Sequence, residues 1–136
     1  MSACALTVVL LLVSCSPTAF DQFRHELSGR SFQITELTRE GNALPLAGQP
    51  HITFSSGQFT ADTGCNTVTG GYARTARGYK LRRVSSTLRG CAAELAAQDD
   101  IIREVLTSGT RITVSESSIV IRNGDRSIVG QRSASG

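Results

Sequence analysis

The sequence predicts a mainly β, α+β domain, in which a small antiparallel barrel-like sheet carries one packed helix. Three observations support this: short alternating apolar runs between turn residues, one late segment with helical period, and a length of 136 residues that allows one domain. Strands interrupted by one helix are typical of α+β or barrel-like architectures. The chain has five Phe, two Tyr and no Trp, so the core is expected to be modest.

The first half of the domain is predicted to consist of strands. They lie at 31–38, 51–54, 58–61, 67–73, 79–82 and 84–87. Phe32 and Ile34 share one face of the first strand, and the following segment 39–49 contains Gly, Asn and Pro and is predicted to be a loop. The Ser-Ser-Gly sequence at 55–57 separates two short alternating runs, which predicts a hairpin.

The period changes to that of a helix at 94–107. Leu95, Ile102, Val105 and Leu106 fall on one stripe, with acidic residues early and a glycine just past the end. Strand-like alternation then returns at 111–114, 118–122 and 127–131. The Asn-Gly pair at 123–124 is the strongest short-range hairpin signal in the chain.

The N-terminal segment has the features of a targeting sequence. Residues 1–15 contain no charged side chain, and the apolar run 3–13 is shorter than the roughly 20 residues that a membrane-spanning helix needs. Leu12-Val13-Ser14-Cys15 resembles the lipobox of bacterial lipoproteins, in which the cysteine receives a diacylglycerol before cleavage. The resemblance implies a signal peptide at 1–14 and a lipidated Cys15 at the start of a tether, 15–26. A secretory segment that happens to end in Cys is the alternative.

Lipidation would place the protein at the cell envelope, on the periplasmic side. Each buried methylene contributes about 0.8 kcal/mol, so two or three acyl chains form a nearly permanent anchor. Residue 16 is Ser rather than Asp, which by resemblance to the sorting rule of Gram-negative lipoproteins implies the outer membrane. A membrane is therefore the predicted partner of this segment.

The formal net charge of +3 is mildly basic and well short of the dense Lys/Arg clustering of nucleic-acid binders. No nucleic-acid partner is therefore predicted. Six cations nevertheless lie within sixteen residues: Arg74, Arg77, Lys80, Arg82, Arg83 and Arg89. They form either a patch for anionic lipid headgroups, lipopolysaccharide or an envelope protein, or the ordinary solvated face of a hairpin.

An ordered set of motifs resembles the META domain of the HslJ family. The set comprises Leu27-Ser28-Gly29, Phe32, Ile52-Thr53-Phe54, Gly57-Gln58-Phe59, Gly64-Cys65-Asn66, Gly70-Gly71-Tyr72, Thr87, Cys91 and a helix ending Val105-Leu106. The similarity covers 27–132 and leaves 133–136 as a C-terminal tail. It implies a mainly antiparallel barrel-like sheet with one helix, and an association with heat-shock and antibiotic-stress responses without a defined reaction.

Two departures from the family pattern are specific. Phe32 stands where the family commonly has Trp, which keeps an aromatic core residue but loses an N–H donor. Thr87-Leu88-Arg89-Gly90-Cys91 stands where the family often reads T-R-M-x-C, so the arginine is shifted by two positions.

The four cysteines separate by location. Cys4 belongs to the signal, Cys15 is the expected lipid acceptor, and Cys65 and Cys91 remain in the mature domain, in an oxidising compartment. These two are predicted to form a disulfide. On the chain-entropy model a bridge of this span stabilises by roughly 3–4 kcal/mol.

Other chemistry for these residues is less well supported. His25 and His51 lie at spacings unlike those of zinc sites, and no metal or cofactor is predicted. A Cys65 nucleophile with His51 as base is a second alternative. Three carboxylates early in the helix are explained more simply by its dipole than by acid–base chemistry. They are Glu94, Asp99 and Asp100.

No nucleophile, base and orienting group converge in the sequence. We therefore expect a non-enzymatic, lipid-anchored envelope protein with a stress-related structural or binding role. The alternative is an inhibitor or accessory module that docks on an envelope enzyme, with the loop 39–49 and the basic run as its contact surface.

Overall fold

The structure, a computed structural model, describes residues 27–107 and 110–134. Within these ranges eight strands close into an antiparallel barrel, a short ninth strand pairs with the first, and one helix packs against the barrel. The strands are β1 (Ser31–Arg39), β2 (Asn42–Leu44), β3 (His51–Ser55), β4 (Gln58–Asp62), β5 (Thr67–Thr75), β6 (Gly78–Ser86), β7 (Arg111–Val114), β8 (Ser118–Asn123) and β9 (Arg126–Arg132). The helix α1 spans Ala93–Thr107. The predicted fold class is confirmed.

Several predictions fall on residues outside these ranges. The signal peptide, the lipid site at Cys15 and the tether up to residue 26 are among them, as are Cys4 and His25. Within the described part of the chain, no helix is long and apolar enough to cross a membrane.

The barrel follows an up-and-down order. From β3 to β9 each strand pairs with the next in sequence, and β9 returns to pair with β1. β6 and β7 pair through Tyr79 and Ile112. The helix connects these two strands in sequence and packs against β6, β8, β9 and β1.

The two ends of the barrel carry different parts of the chain. The helix end holds α1, the β4–β5 corner at 63–66 and the β8–β9 turn at 124–125. The opposite end, the N-terminal end, holds residues 27–30 and the turns at 56–57, 76–77 and 115–117. Backbone hydrogen bonds join the parts of the N-terminal end, for example from Gly29 N to Phe54 O and from Tyr72 N to Gly57 O. At the helix end the amide of Glu40 donates to the carbonyl of Asp125.

The core lies inside the barrel and under the helix. Its largest fully buried side chains include Phe32, Phe54, Phe59, Leu27, Leu37, Ile52, Ile101, Ile102, Leu106, Ile112, Ile119 and Ile121. The ring of Phe54 meets those of Phe32 and Tyr72 edge-on, at centroid distances of 6.1 and 5.3 Å. Such edge contacts add about 0.5–1.5 kcal/mol each to the burial of the rings. The aromatic role predicted for Phe32 is therefore filled without the indole N–H.

The prediction of a loop over 39–49 was partly wrong. Asn42–Leu44 forms β2, which pairs with the end of β1 through Leu37↔Leu44 and Arg39↔Asn42. The turn between them uses Glu40 and Gly41, both with positive φ, as tight two-residue hairpins require. A three-residue strand is too short for apolar and polar residues to alternate visibly in the sequence. This strand is therefore recognised only from its pairing with β1.

The two strands predicted at 79–82 and 84–87 are one strand, β6. Its register against β5 shifts between Gly71↔Arg82 and Thr69↔Ser85, which places two residues, Arg83 and Val84, opposite the single Gly70. Arg83 has a φ of 53°. This β-bulge explains the break in alternation, because an extra residue reverses the direction of the side chains that follow.

Candidate functional site

The motif Gly64-Cys65-Asn66 forms a tight corner between β4 and β5, at the helix end. The backbone amide of Gly64 donates to Oδ1 of Asp62 at 2.8 Å, and Gly64 has a φ of 92°, which favours glycine. A Cβ atom at this position would lie 2.9 Å from Nε2 of Gln98 on α1. The corner therefore needs glycine both for its backbone shape and for its close approach to the helix.

A disulfide joins Cys65 to Cys91, as predicted. It links the β4–β5 corner to the segment just before α1, with Cα atoms 6.0 Å apart. The sulfur of Cys65 is therefore not available as a thiolate nucleophile in this structure. His51, the base considered for it, begins β3 and has Nδ1 at 3.1 Å from the carbonyl oxygen of Gln49.

Asn66 connects the corner to the chain that leads into the helix. It is only 4% exposed, and its Oδ1 accepts hydrogen bonds from the amide of Arg89 at 2.6 Å and the hydroxyl of Thr87 at 3.0 Å. Its Nδ2 donates to the carbonyl of Arg89 at 3.4 Å and to Oδ2 of Asp99 at 3.1 Å. Both Oδ1 and Nδ2 of Asn66 therefore have hydrogen-bond partners, and the side chain joins the corner to residues 87–89 and to α1.

Asp99 continues the same network into the helix. It is 3% exposed; the Thr63 hydroxyl donates to its Oδ1, and Nε of Arg103 donates to its Oδ2 at 2.7 Å. Arg103 also donates to Asp100 at 2.7 Å. The dipole explanation given for these carboxylates suits Glu94, in the first turn, but is wrong for Asp99 and Asp100, which lie beyond the reach of the helix terminus.

Gln98 attaches the segment after β2 to the same corner. Its Nε2 donates to the carbonyls of Thr63 at 2.6 Å and Ala47 at 3.1 Å, while its Oε1 accepts from the Ala47 amide at 2.8 Å. Sequence reasoning missed Gln98, Thr63 and Arg103. A signal was present, because residues 98 and 99 precede the buried Ile102 by four and three positions and thus lie on the helix stripe that faces the barrel.

Two further residues of the family motif, Gly70 and Tyr72 on β5, contribute to the packing of the aromatic core. A Cβ atom on Gly70 would lie 2.8 Å from Cε1 of Phe59 and 3.0 Å from the carbonyl oxygen of Arg82. Tyr72 packs edge-on against Phe54 and, with centroids 6.0 Å apart, against Tyr79. The glycine thus lets β5 and the bulged β6 close over an aromatic cluster.

Substituting alanine for Gly70 is expected to destabilise the domain by about 1–3 kcal/mol, because the added methyl has no room beside the ring of Phe59. Thermal unfolding followed by circular dichroism measures this. The matched control is Gly90→Ala, where the added methyl meets no atom within 4 Å; its effect is expected to stay within about 0.5 kcal/mol. Equal melting temperatures for the two variants would contradict the packing role.

The basic run divides between two places. Lys80 and Arg82 alternate with the buried Leu81 and are exposed on the outer face of β6, and the bulge leaves Arg83 exposed beside Arg82. Arg82 and Arg83 line an open groove with the glycines of the β3–β4 turn and of β5. Arg89 lies apart from them, at the helix end, where its backbone binds Asn66.

The remaining cations of the run lie beside the β5–β6 turn. Arg77 and Lys80 line a shallow depression together with Arg111 of β7. Arg74 pairs across the hairpin with Tyr79. The structure thus gathers five of the six predicted residues at or near the N-terminal end and adds Arg111 to them.

The loop 39–49 does not join this basic surface. Its β2 pairs with the end of β1, and Ala47 binds α1, so the loop lies at the helix end. There Leu44, Leu46, Ala97 and Ile101 line a partly apolar groove of about 480 Å³ between the loop and the helix. The loop and the basic run therefore do not form one continuous surface.

The chemistry available at the corner is that of a structural element. Its polar side chains, Thr63, Asn66, Gln98 and Asp99, are buried and bonded to one another or to the backbone. Within residues 27–107 and 110–134, no group of three or more His, Cys, Asp or Glu side chains is arranged to hold a metal ion.

Comparisons with known proteins agree with this fold. Two solved structures are similar in fold. The first is an NMR structure of a protein from Burkholderia xenovorans, with a TM-score of 0.68 and 14% identity, and the match covers 97% of this chain and 100% of the other. The second is also an NMR structure, with a TM-score of 0.62 and 16% identity, and the match covers 79% of this chain and 92% of the other. No curated protein sequence matches the chain. A family model described as the META domain matches residues 25–135. The chain belongs to the META domain family.

Proposed function

We propose that this protein is a non-enzymatic, lipid-anchored component of the cell envelope, in which the META domain has a structural or binding role during heat or antibiotic stress. One observation carries the proposal: the residues that define the motif are used to hold a corner rather than to present a reactive group. Cys65 is bonded to Cys91, and the side chain of Asn66 has its hydrogen-bonding groups occupied.

The location in the envelope has two supports. Leu12-Val13-Ser14-Cys15 follows an uncharged apolar run, as a lipobox would. The disulfide Cys65–Cys91 is of the kind that persists in oxidising compartments and is rare in the cytosol. Together they favour export followed by lipid attachment at Cys15, with the outer membrane as the expected destination.

Mass spectrometry of the mature N-terminus tests the anchor. We expect a peptide that begins at Cys15 and carries diacylglycerol, and a Cys15→Ser variant that is unprocessed and unmodified.

In a deletion strain, the wild-type gene is expected to restore tolerance to heat or antibiotic, and Cys15→Ser to restore it poorly because the domain is no longer anchored. An unmodified mature protein that begins elsewhere would refute the anchor. Full rescue by Cys15→Ser would show that the role needs no anchor.

A second candidate function is docking on an envelope enzyme, which is favoured by the adjacent exposed Arg82 and Arg83 beside an open groove. Because the loop 39–49 lies at the other end of the barrel, the contact surface would be the basic hairpin alone. Capture of one stoichiometric protein from detergent-solubilised envelope, lost in the Arg82→Glu/Arg83→Glu variant, would favour this candidate.

A further inference from the structure

The charges of the domain are separated along the barrel. Most acidic side chains lie at the helix end: Glu40, Asp62, Glu94, Asp99, Asp100, Glu104 and Asp125. Arg39, Arg103 and Arg126 form ion pairs with members of this group. Residues 63–93, which lie between Asp62 and Glu94 and contain the β5–β6 hairpin, include no acidic residue.

Cations occupy the opposite end. Arg82 and Arg83 line a groove with Gly57 of the β3–β4 turn, and Arg77, Lys80 and Arg111 line a depression beside the β5–β6 turn. Arg30 and Arg132 lie at the same end, where Arg30 donates to the carbonyl of Ser115 and the amide of Arg132 donates to that of Ser117. Glu116, in the β7–β8 turn, is the acidic residue there. We call these cations, with Arg74, the basic end.

The local structure turns these cations outward. Lys80 and Arg82 alternate with the buried Leu81, and Arg111 precedes the buried Ile112. The bulge at Arg83 breaks the alternation and exposes two consecutive arginines. A regular strand would have exposed only one of them, so the bulge increases the charge density at this point.

The surface is built for electrostatic rather than hydrophobic contact. Among residues 27–107 and 110–134, Leu88 is the one large apolar side chain that is strongly exposed, at 81%, and it lies at the helix end beside Arg89. The depressions at the basic end are open and spread over neighbouring strands, rather than enclosing a single ligand. Such an array suits many phosphates spread over a plane better than one small anion in a pocket.

The chain also enters the domain at this end. Leu27 is fully buried there, and Gly29 and Arg30 hydrogen-bond with Phe54 on β3. Residues 16–26 can span at most about 40 Å, since an extended chain covers about 3.5 Å per residue. An anchor at Cys15 would therefore keep the basic end near a bilayer without fixing its orientation.

We propose that the basic end binds anionic lipid headgroups and so holds the domain with its helix end facing away from the membrane. The orientation rests on the lipid anchor proposed above, whereas the binding chemistry rests only on the described residues. Each cation close to an anionic bilayer strengthens association by about fivefold, and the effect weakens as salt screens the charges.

Cosedimentation with vesicles tests the surface separately from the anchor. The full chain with Cys15→Ser is mixed with phosphatidylcholine vesicles that contain either none or 30% phosphatidylglycerol. Only the difference between the two compositions is scored, because the apolar N-terminal segment remains in the chain and can contribute to both. We expect binding that depends on phosphatidylglycerol and is lost at high salt.

Two variants with equal net charge locate the effect. Arg82→Gln/Arg83→Gln removes two cations from the basic end, and Arg39→Gln/Arg89→Gln removes two from the helix end. The first is expected to weaken the phosphatidylglycerol-dependent binding by about 25-fold, and the second to change it much less. Equal losses would mean that net charge alone drives binding and would overturn the proposal, provided that all variants melt at the wild-type temperature.

The remaining outcomes are also decisive. Absence of any phosphatidylglycerol dependence would refute the lipid surface, whatever mass spectrometry shows at Cys15. Competition by inorganic phosphate at constant ionic strength would indicate a site for a single phosphate group instead of a membrane surface. Capture of a protein by the same arginines without vesicle binding would assign the basic end to a protein partner.

Discussion

Substituting alanine for Asp99 is expected to destabilise the folded domain by about 2–4 kcal/mol, because the Thr63 hydroxyl and the Asn66 amide lose a charged hydrogen-bond acceptor while they stay buried. Asp99 accepts hydrogen bonds from Thr63, Asn66 and Arg103, and it is 3% exposed. Small domains are stable by only about 5–15 kcal/mol, so the variant should unfold at much lower urea concentration. Far-UV circular dichroism follows this transition without requiring a tryptophan.

The neighbouring Asp100 is the matched control. It also binds Arg103, at 2.7 Å, but its side chain is 60% exposed. Exposed ion pairs contribute about 0–1 kcal/mol, so Asp100→Ala should lower the stability only slightly. If the two alanine variants unfolded at the same urea concentration, the buried network would not be the stabilising feature that its geometry indicates.

Removing the disulfide is the second change expected to have a large effect. Cys65 and Cys91 are separated by 26 positions, and for a loop of this length the chain-entropy model gives about 3.5 kcal/mol. The Cys65→Ala/Cys91→Ala variant, and the wild type in reductant, should therefore lose similar amounts of stability in urea unfolding. Thiol titration of the denatured, unreduced mature protein should find neither cysteine free. Titration of both would contradict the bridge.

The disulfide and the Asp99 network hold the same corner, so their effects should not be additive. Asn66 follows Cys65 directly, and it binds both Arg89, near Cys91, and Asp99. A double-mutant cycle between the disulfide removal and Asp99→Ala is expected to show a coupling of about 0.5–3 kcal/mol, as found for residues in one network. Additive losses would mean that the bridge and the network act on separate parts of the structure.

Local patterns were sufficient to predict most of the elements. The 3.6-residue period predicted the helix within one residue of Ala93–Thr107, since Ile102, Val105 and Leu106 repeat on its buried side. Both predicted hairpins form, with turns at 56–57 and 124–125, and the second turn begins one residue later than the Asn123-Gly124 pair that predicted it. Such features depend on residues close in sequence, which is why they can be read before the fold is known.

The candidate site was harder to predict because its partners are distant in sequence. The disulfide followed from the number of remaining cysteines, whereas the bonds of Asn66 and Gln98 join segments that only the fold brings together. Two polar residues on the buried helix stripe, at 98 and 99, pointed to such a contact without indicating its partner. Asp99 was therefore assigned to the helix dipole, although its real partners lie 33 and 36 positions earlier and on the next helix turn.

The sequence by itself determined most of the succession of strands, the helix, the family motif and the pairing of Cys65 with Cys91, because each depends on local periodicity, motif order or the number of cysteines. Only the tertiary structure decided where the charges lie. The up-and-down order places the β5–β6 hairpin at the N-terminal end and the loop 39–49 at the helix end. The bulge then exposes Arg83 beside Arg82. These placements depend on how the closed sheet pairs its strands and where the helix packs, and no local pattern carries that information.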